Sequence, residues 1–125
     1  MKLYGQEQKY TLFAANNYAA TLRDLKRFEE ARSLLRRTMP VARRVHGTSD
    51  ELTLRIRKIF AEALYMDTCA TFDDLREAVA MLEETERIAR RVLGGAHPLT
   101  TYIEASLQDA QAALRARETP PARSV

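Results

Sequence analysis

Three kinds of side chain in this 125-residue chain could do chemistry: one thiol, two imidazoles and a dense run of guanidinium groups. Cys69 has no His or Lys beside it to lower its pKa, so it reads as an inert thiol. His46 and His97 are too few for a metal site, and neither has a Cys or carboxylate at ligand spacing. There is no phosphate loop, no nucleophile elbow and no paired acid and base. Catalysis, a metal and a cofactor are therefore not expected.

The guanidinium groups carry more information. Residues 32–58 hold Arg32, Arg36, Arg37, Arg43, Arg44, Arg55, Arg57 and Lys58 against Asp50 and Glu51, a local balance of +6. Residues 62–86 hold eight carboxylates against Arg76 alone, a balance of −7. A nucleic-acid binder gains from one continuous basic face and from aromatic stacking platforms. Here a basic block precedes an acidic one, so nucleic-acid binding through the Arg-rich segment is the less favoured reading. Internal ion pairs rank above it.

The elements that position these charges are helices. Apolar residues make up 46% of the chain and charged residues 30%, with only four Gly and four Pro. Val41-Ala42-Arg43-Arg44-Val45-His46-Gly47 returns 47 residues later as Ile88-Ala89-Arg90-Arg91-Val92-Leu93-Gly94. Phe28, Ala31, Leu35 and Thr38 meet Leu75, Ala78, Leu82 and Thr85 at the same offset. A period in the forties points to stacked helix pairs. Periodicity predicts helices near 10–25, 28–46, 50–66, 72–93 and 98–116. The first should bury Leu12, Ala15, Tyr18, Ala19 and Leu22. Residues 1–9 read as the tail of a repeat unit, with Gly5 lying 42 before Gly47. Gly47 and Gly94 should end helices, and Thr48 with Glu51 and Thr71 with Asp74 should cap the next ones. Pro98 suits a first turn. Pro40 removes the hydrogen bond to the Arg36 carbonyl in mid-helix and should leave a kink. Arg36-Arg37 align with Glu83-Glu84 at the 47-residue offset, so ion pairs between repeats should join them.

The expected domain is thus a single unit over 1–117. Repeat one covers about 10–47, repeat two about 50–94, and a capping helix about 98–116, with a disordered tail over 118–125. Five residues, Asp67-Thr68-Cys69-Ala70-Thr71, are inserted between the third and fourth helices. A single Cys and the lack of an apolar leader or spanning run point to the cytoplasm.

Asn16-Asn17-Tyr18-Ala19, Phe28-Glu29-Glu30-Ala31 and Leu93-Gly94-Gly95-Ala96-His97-Pro98-Leu99-Thr100 resemble the motifs of tetratricopeptide repeats of the kinesin-light-chain type. The likeness covers residues 4–114. It implies an all-α, right-handed stack of antiparallel helix pairs, two full repeats and a C-terminal capping helix, that scaffolds protein–protein interaction. It also implies that the first helix of each pair lines a concave peptide groove. Carried over, that groove comprises Phe13, Asn16, Ala20 and Arg23, then Arg55, Lys58, Glu62 and Tyr65, then Tyr102. Asn16 could hold a peptide backbone, since a carboxamide both donates and accepts. Arg23, Arg55 and Lys58 would favour a partner with acidic residues. The main rivals are a homo-oligomer formed through an uncovered N-terminal stacking face and a consensus-like engineered repeat without a cellular ligand.

Overall fold

The computed structural model describes residues 2–118, with side chains over 8–118. Five helices follow in order: α1 (Lys2–Asp24), α2 (Phe28–His46), α3 (Glu51–Tyr65), α4 (Phe72–Leu93) and α5 (Pro98–Glu118). No strand occurs among the described residues. Each helix packs on the next, so the short turns make neighbours antiparallel. In addition α1 touches α3 and α3 touches α5, whereas the backbones of α2 and α4 stay farther apart. Two layers result, an inner one of α1, α3 and α5 and an outer one of α2 and α4.

Turn chemistry sets the helix ends. Gly47 and Gly94 stop α2 and α4 at φ values of 90° and 93°, where a side chain would be strained. Lys26 takes φ 64° in the turn after α1, and the Arg27 N–H bonds the Leu22 carbonyl at 2.8 Å. Thr71 and Asp74 form the expected reciprocal cap of α4. The cap of α3 is different from the expected one. Thr48 lies in the turn, and Asp50, in extended backbone, accepts from the Leu52 N–H at 3.0 Å. Asp50 stands directly before the first helical residue, so its carboxylate reaches the free N–H groups that Thr48 cannot. His97 does the same for α5, its Nδ1 accepting from the Leu99 N–H at 3.0 Å.

Two boundaries need correction. Residues 2–9, expected as the tail of a repeat, belong to α1. Gly47 is followed by turn residues, but Gly5 is followed by Gln6-Glu7-Gln8-Lys9, all good helix formers, and the helix runs through it. At the other end α5 includes Glu118, two residues past its expected limit, while Arg117 bonds the Ala70 carbonyl and fastens that turn to the inserted loop. The rest of the expected tail, 119–125, lies outside the described residues. Helix α2 continues through Pro40, which is exposed.

The core consists of the repeated apolar positions. Ala19, Ala31, Leu35, Ala42, Ala78, Leu82 and Ala89 are fully buried, and α3, with neighbours on every side, buries Leu54, Ile56, Phe60, Ala61 and Leu64. Thr38 and Thr85 are buried too, each hydroxyl donating to the carbonyl four residues back at 2.7 Å, which satisfies it. Thr53 and Thr100, again 47 apart, each donate across to the preceding helix, to the carbonyls of Ala42 and Ala89 at 3.4 Å. Tyr18, expected inside, is 56% exposed. Its repeat-two counterpart Phe60 is covered by α2, and among the described residues no helix covers α1 in that way.

The inserted loop is tied at both ends of the stack. Arg32 of α2 donates to Asp67 at 3.1 Å and to the Ala63 carbonyl at 3.2 Å. Asp67 also accepts from the Cys69 N–H at 2.9 Å. That N–H first, and then the Arg32 guanidinium, hold the Asp67 carboxyl below its ordinary value of 3.8.

Two tests follow from this packing. Ala31→Leu should destabilise the fold by about 1–3 kcal/mol through overpacking, read as a lower melting temperature. Because the folded carboxyl of Asp67 is the more acidic one, its contribution is present above pH 3.8 and is lost as the pH falls through the folded value. In acid-unfolding curves Asp67→Asn should therefore lower stability at neutral pH and converge with the parent at the acid end.

Candidate functional site

The inner layer presents three adjoining hollows. The first, about 430 Å³, is lined by Phe13, Asn16, Asn17, Asp50, Glu51, Leu52 and Arg55. The second, about 180 Å³, shares Asn16 and Arg55 and adds Ala20, Arg23, Lys58, Ile59, Leu99 and Tyr102. The third, about 400 Å³, shares Arg23, Lys58 and Tyr102 and includes Glu62, Tyr65, Ser106 and Asp109. All nine residues singled out in the sequence line this strip. Helix α1 supplies Phe13, Asn16, Ala20 and Arg23, α3 supplies Arg55, Lys58, Glu62 and Tyr65, and α5 supplies Tyr102.

Phe13 and Tyr102 offer ring surface, 51% and 62% exposed. The Asn16 Oδ1 is buried and has no hydrogen-bond partner. A buried acceptor without a donor is costly, and an incoming N–H would relieve it.

Glu62 has a different place from the one expected. It is buried, and its carboxylate gathers groups from all three inner helices. Oε1 accepts from Arg23 Nη1 at 2.5 Å, while Oε2 lies 2.8 Å from Lys58 Nζ and accepts from Ser106 Oγ at 2.6 Å. Burial alone would lower the Arg23 pKa, but the charge and hydrogen bond of Glu62 outweigh it and raise it. Beside this cluster, burial pushes the Tyr65 phenol up to about 12. Tyr65 thus keeps its proton at neutral pH.

The charges along the strip are not uniform. The central hollow has Arg23, Arg55 and Lys58 and no carboxylate in its lining. Asp50 and Glu51 stand at one end, Asp24 and Asp109 at the other. Arg55 bonds Glu51 one turn earlier at 2.7 Å, an exposed pair that exchanges easily.

Most of the basic block is spent internally. Arg32 pairs with Asp67, Arg36 with Glu77, Arg55 with Glu51, Arg57 with Glu84 and Lys58 with Glu62. The expected pairing of Arg36-Arg37 with Glu83-Glu84 is corrected here. Arg36 reaches Glu77, nearer the start of α4, and Glu84 is taken by Arg57 from α3. The separation of α2 from α4 leaves only long side chains to span it. The burial of Arg57 and Glu62, at 8% and 7% exposure, had no signal in the sequence, because it depends on partners in other helices.

Models of the tetratricopeptide repeat match residues 10–68 and 70–99. The chain is a tetratricopeptide-repeat protein. The two matches adjoin at the inserted loop, between α3 and α4. Tetratricopeptide repeats generally mediate protein–protein interaction and are generally non-catalytic. No curated protein and no solved structure matches the chain at a significant level. No described helix of this repeat protein is long and apolar enough to cross a membrane.

The buried cluster and the phenol beside it can both be tested in the free protein. Glu62→Gln should cost about 1–3 kcal/mol, because Arg23 and Lys58 lose their shared counter-charge while staying partly buried. In a near-ultraviolet alkaline titration, one of the five tyrosines should ionise last, near pH 12, and Tyr65→Phe should remove that step. Since the folded phenol is the weaker acid, stability should fall as the pH rises from 10 towards 12.

Proposed function

We propose that this tetratricopeptide-repeat protein is a cytoplasmic scaffold that holds a partner peptide along the strip formed by α1, α3 and α5. The observation that carries the reading is the unpartnered Asn16 Oδ1, buried between the first and second hollows and flanked by exposed rings. An extended or helical peptide brings N–H groups that fit it. Charge refines the class of peptide. One acidic side chain suits the centre, where Arg23, Arg55 and Lys58 outnumber their partners Glu62 and Glu51, and neutral or basic residues suit the acidic ends. The kinesin-light-chain type of repeat is part of the same reading. It is supported by the linker around Leu93–Thr100, in which His97 caps α5 and Thr100 bonds the preceding helix.

The test is a display screen of random peptides on the immobilised full chain, followed by titration of the selected sequences. Asn16→Ala and Tyr102→Ala should each weaken binding about tenfold, and Arg87→Ala on the outer layer should leave it unchanged. Raising the salt should slow association, since attraction at the centre is screened over about 8 Å at physiological ionic strength. Selected peptides indifferent to both inner-layer substitutions would remove the strip as the binding surface.

A further inference from the structure

Repeat two contains a filled socket whose repeat-one copy is open. In repeat two the Arg36 guanidinium lies over the Phe60 ring, 4.9 Å from its centroid, with its nitrogens 3.4 and 3.5 Å from the Glu77 carboxylate. An aromatic face and a carboxylate together hold one arginine from the helix packed in front. The repeat offsets place Tyr18 where Phe60 stands, 42 residues on, and Glu30 where Glu77 stands, 47 residues on. Tyr18 and Glu30 line one open hollow of about 430 Å³ on the face of α1 and α2 that no described helix covers, with Leu22 and Leu34 beside them. Tyr18 is 56% exposed, whereas Phe60 is fully buried.

We infer that this hollow is a receptor for an arginine side chain presented by an amphipathic helix of another protein. The guanidinium stacks on Tyr18 and bonds Glu30, and the helix that carries it covers the partly exposed Leu34. Two carboxylates, Glu29 and Glu30, complement the cation. Glu30 meanwhile bonds Arg27 within its own helix turn, an exposed pair that exchanges at little cost. Arg37 also lines the hollow, at the position where repeat two has Glu84, and it opposes an incoming cation. This face lies apart from the inner strip, so the inference stands independently of the groove.

The probe is a capped peptide with the sequence of residues 28–46, because that helix fills the corresponding seat in repeat two. Titrated against the isotope-labelled full chain, it should shift the resonances of Tyr18, Glu30 and Leu34. Tyr18→Ala should weaken binding about fivefold or more, and Tyr18→Phe should preserve it, since the ring is what stacks. The same peptide carrying Arg36→Met, which keeps the apolar stem, should also bind about fivefold more weakly. Arg37→Glu in the protein should strengthen binding. Circular dichroism of each variant should match the parent, as the altered side chains are exposed. The inference is overturned by any of three results: no binding, binding that Tyr18→Ala leaves intact, or a self-association of the chain that needs Tyr18 while the peptide is ignored.

Discussion

A single buried carboxylate ties the inner layer together. Glu62 sits on the central helix, and Arg23 and Ser106 come to it from the helices on either side. A charge so far from water is tolerated only while it is paired and hydrogen-bonded. Its three donors therefore fix the spacing of α1, α3 and α5 more tightly than apolar contact alone, which is non-directional. The floor of the strip depends on that spacing. So does the position of Lys58, which serves both the cluster and the central hollow.

The two layers divide the labour of the charges. On the outer side two guanidinium groups reach across to carboxylates of α4, Arg36 from α2 to Glu77 and Arg57 from α3 to Glu84. On the inner side one carboxylate is fully enclosed and the remaining polar groups face an open strip. The same residue types thus bridge separated helices on one side and border an open strip on the other. What separates the two is how closely the backbones approach, near in the inner layer and farther apart in the outer one.

Much of the architecture was legible in the sequence. The bounds of α2 and α4 are the expected ones, because Gly47, Gly94 and the Thr71 cap act through local backbone chemistry that no distant contact alters. The nine residues carried over from the family resemblance all border the inner strip, because they lie on one side of α1, α3 and α5. Three features were not legible. The start of α1 was misplaced because Gly5 reads as punctuation only when turn residues follow it. Tyr18 was placed inside because periodicity reports which face is apolar, not whether a neighbour covers it. The true partners of Arg36, Arg57 and Glu62 were missed because an ion pair between helices depends on their separation, and a shift of nearly two turns, from Glu83 to Glu77, selects another carboxylate.

The wider spacing of α2 and α4 has a mechanical consequence. The inner helices are joined by short bonds through a buried group, while the outer pair is bridged at Arg36 and Glu77 by long side chains at 3.4 Å or more. Bending that spreads the outer layer therefore meets less resistance than bending that shears the inner one. The stack is therefore stiffer along its inner layer than along its outer one. Slack in the outer bridges lets α2 and α4 shift relative to each other, while the inner contacts keep their register.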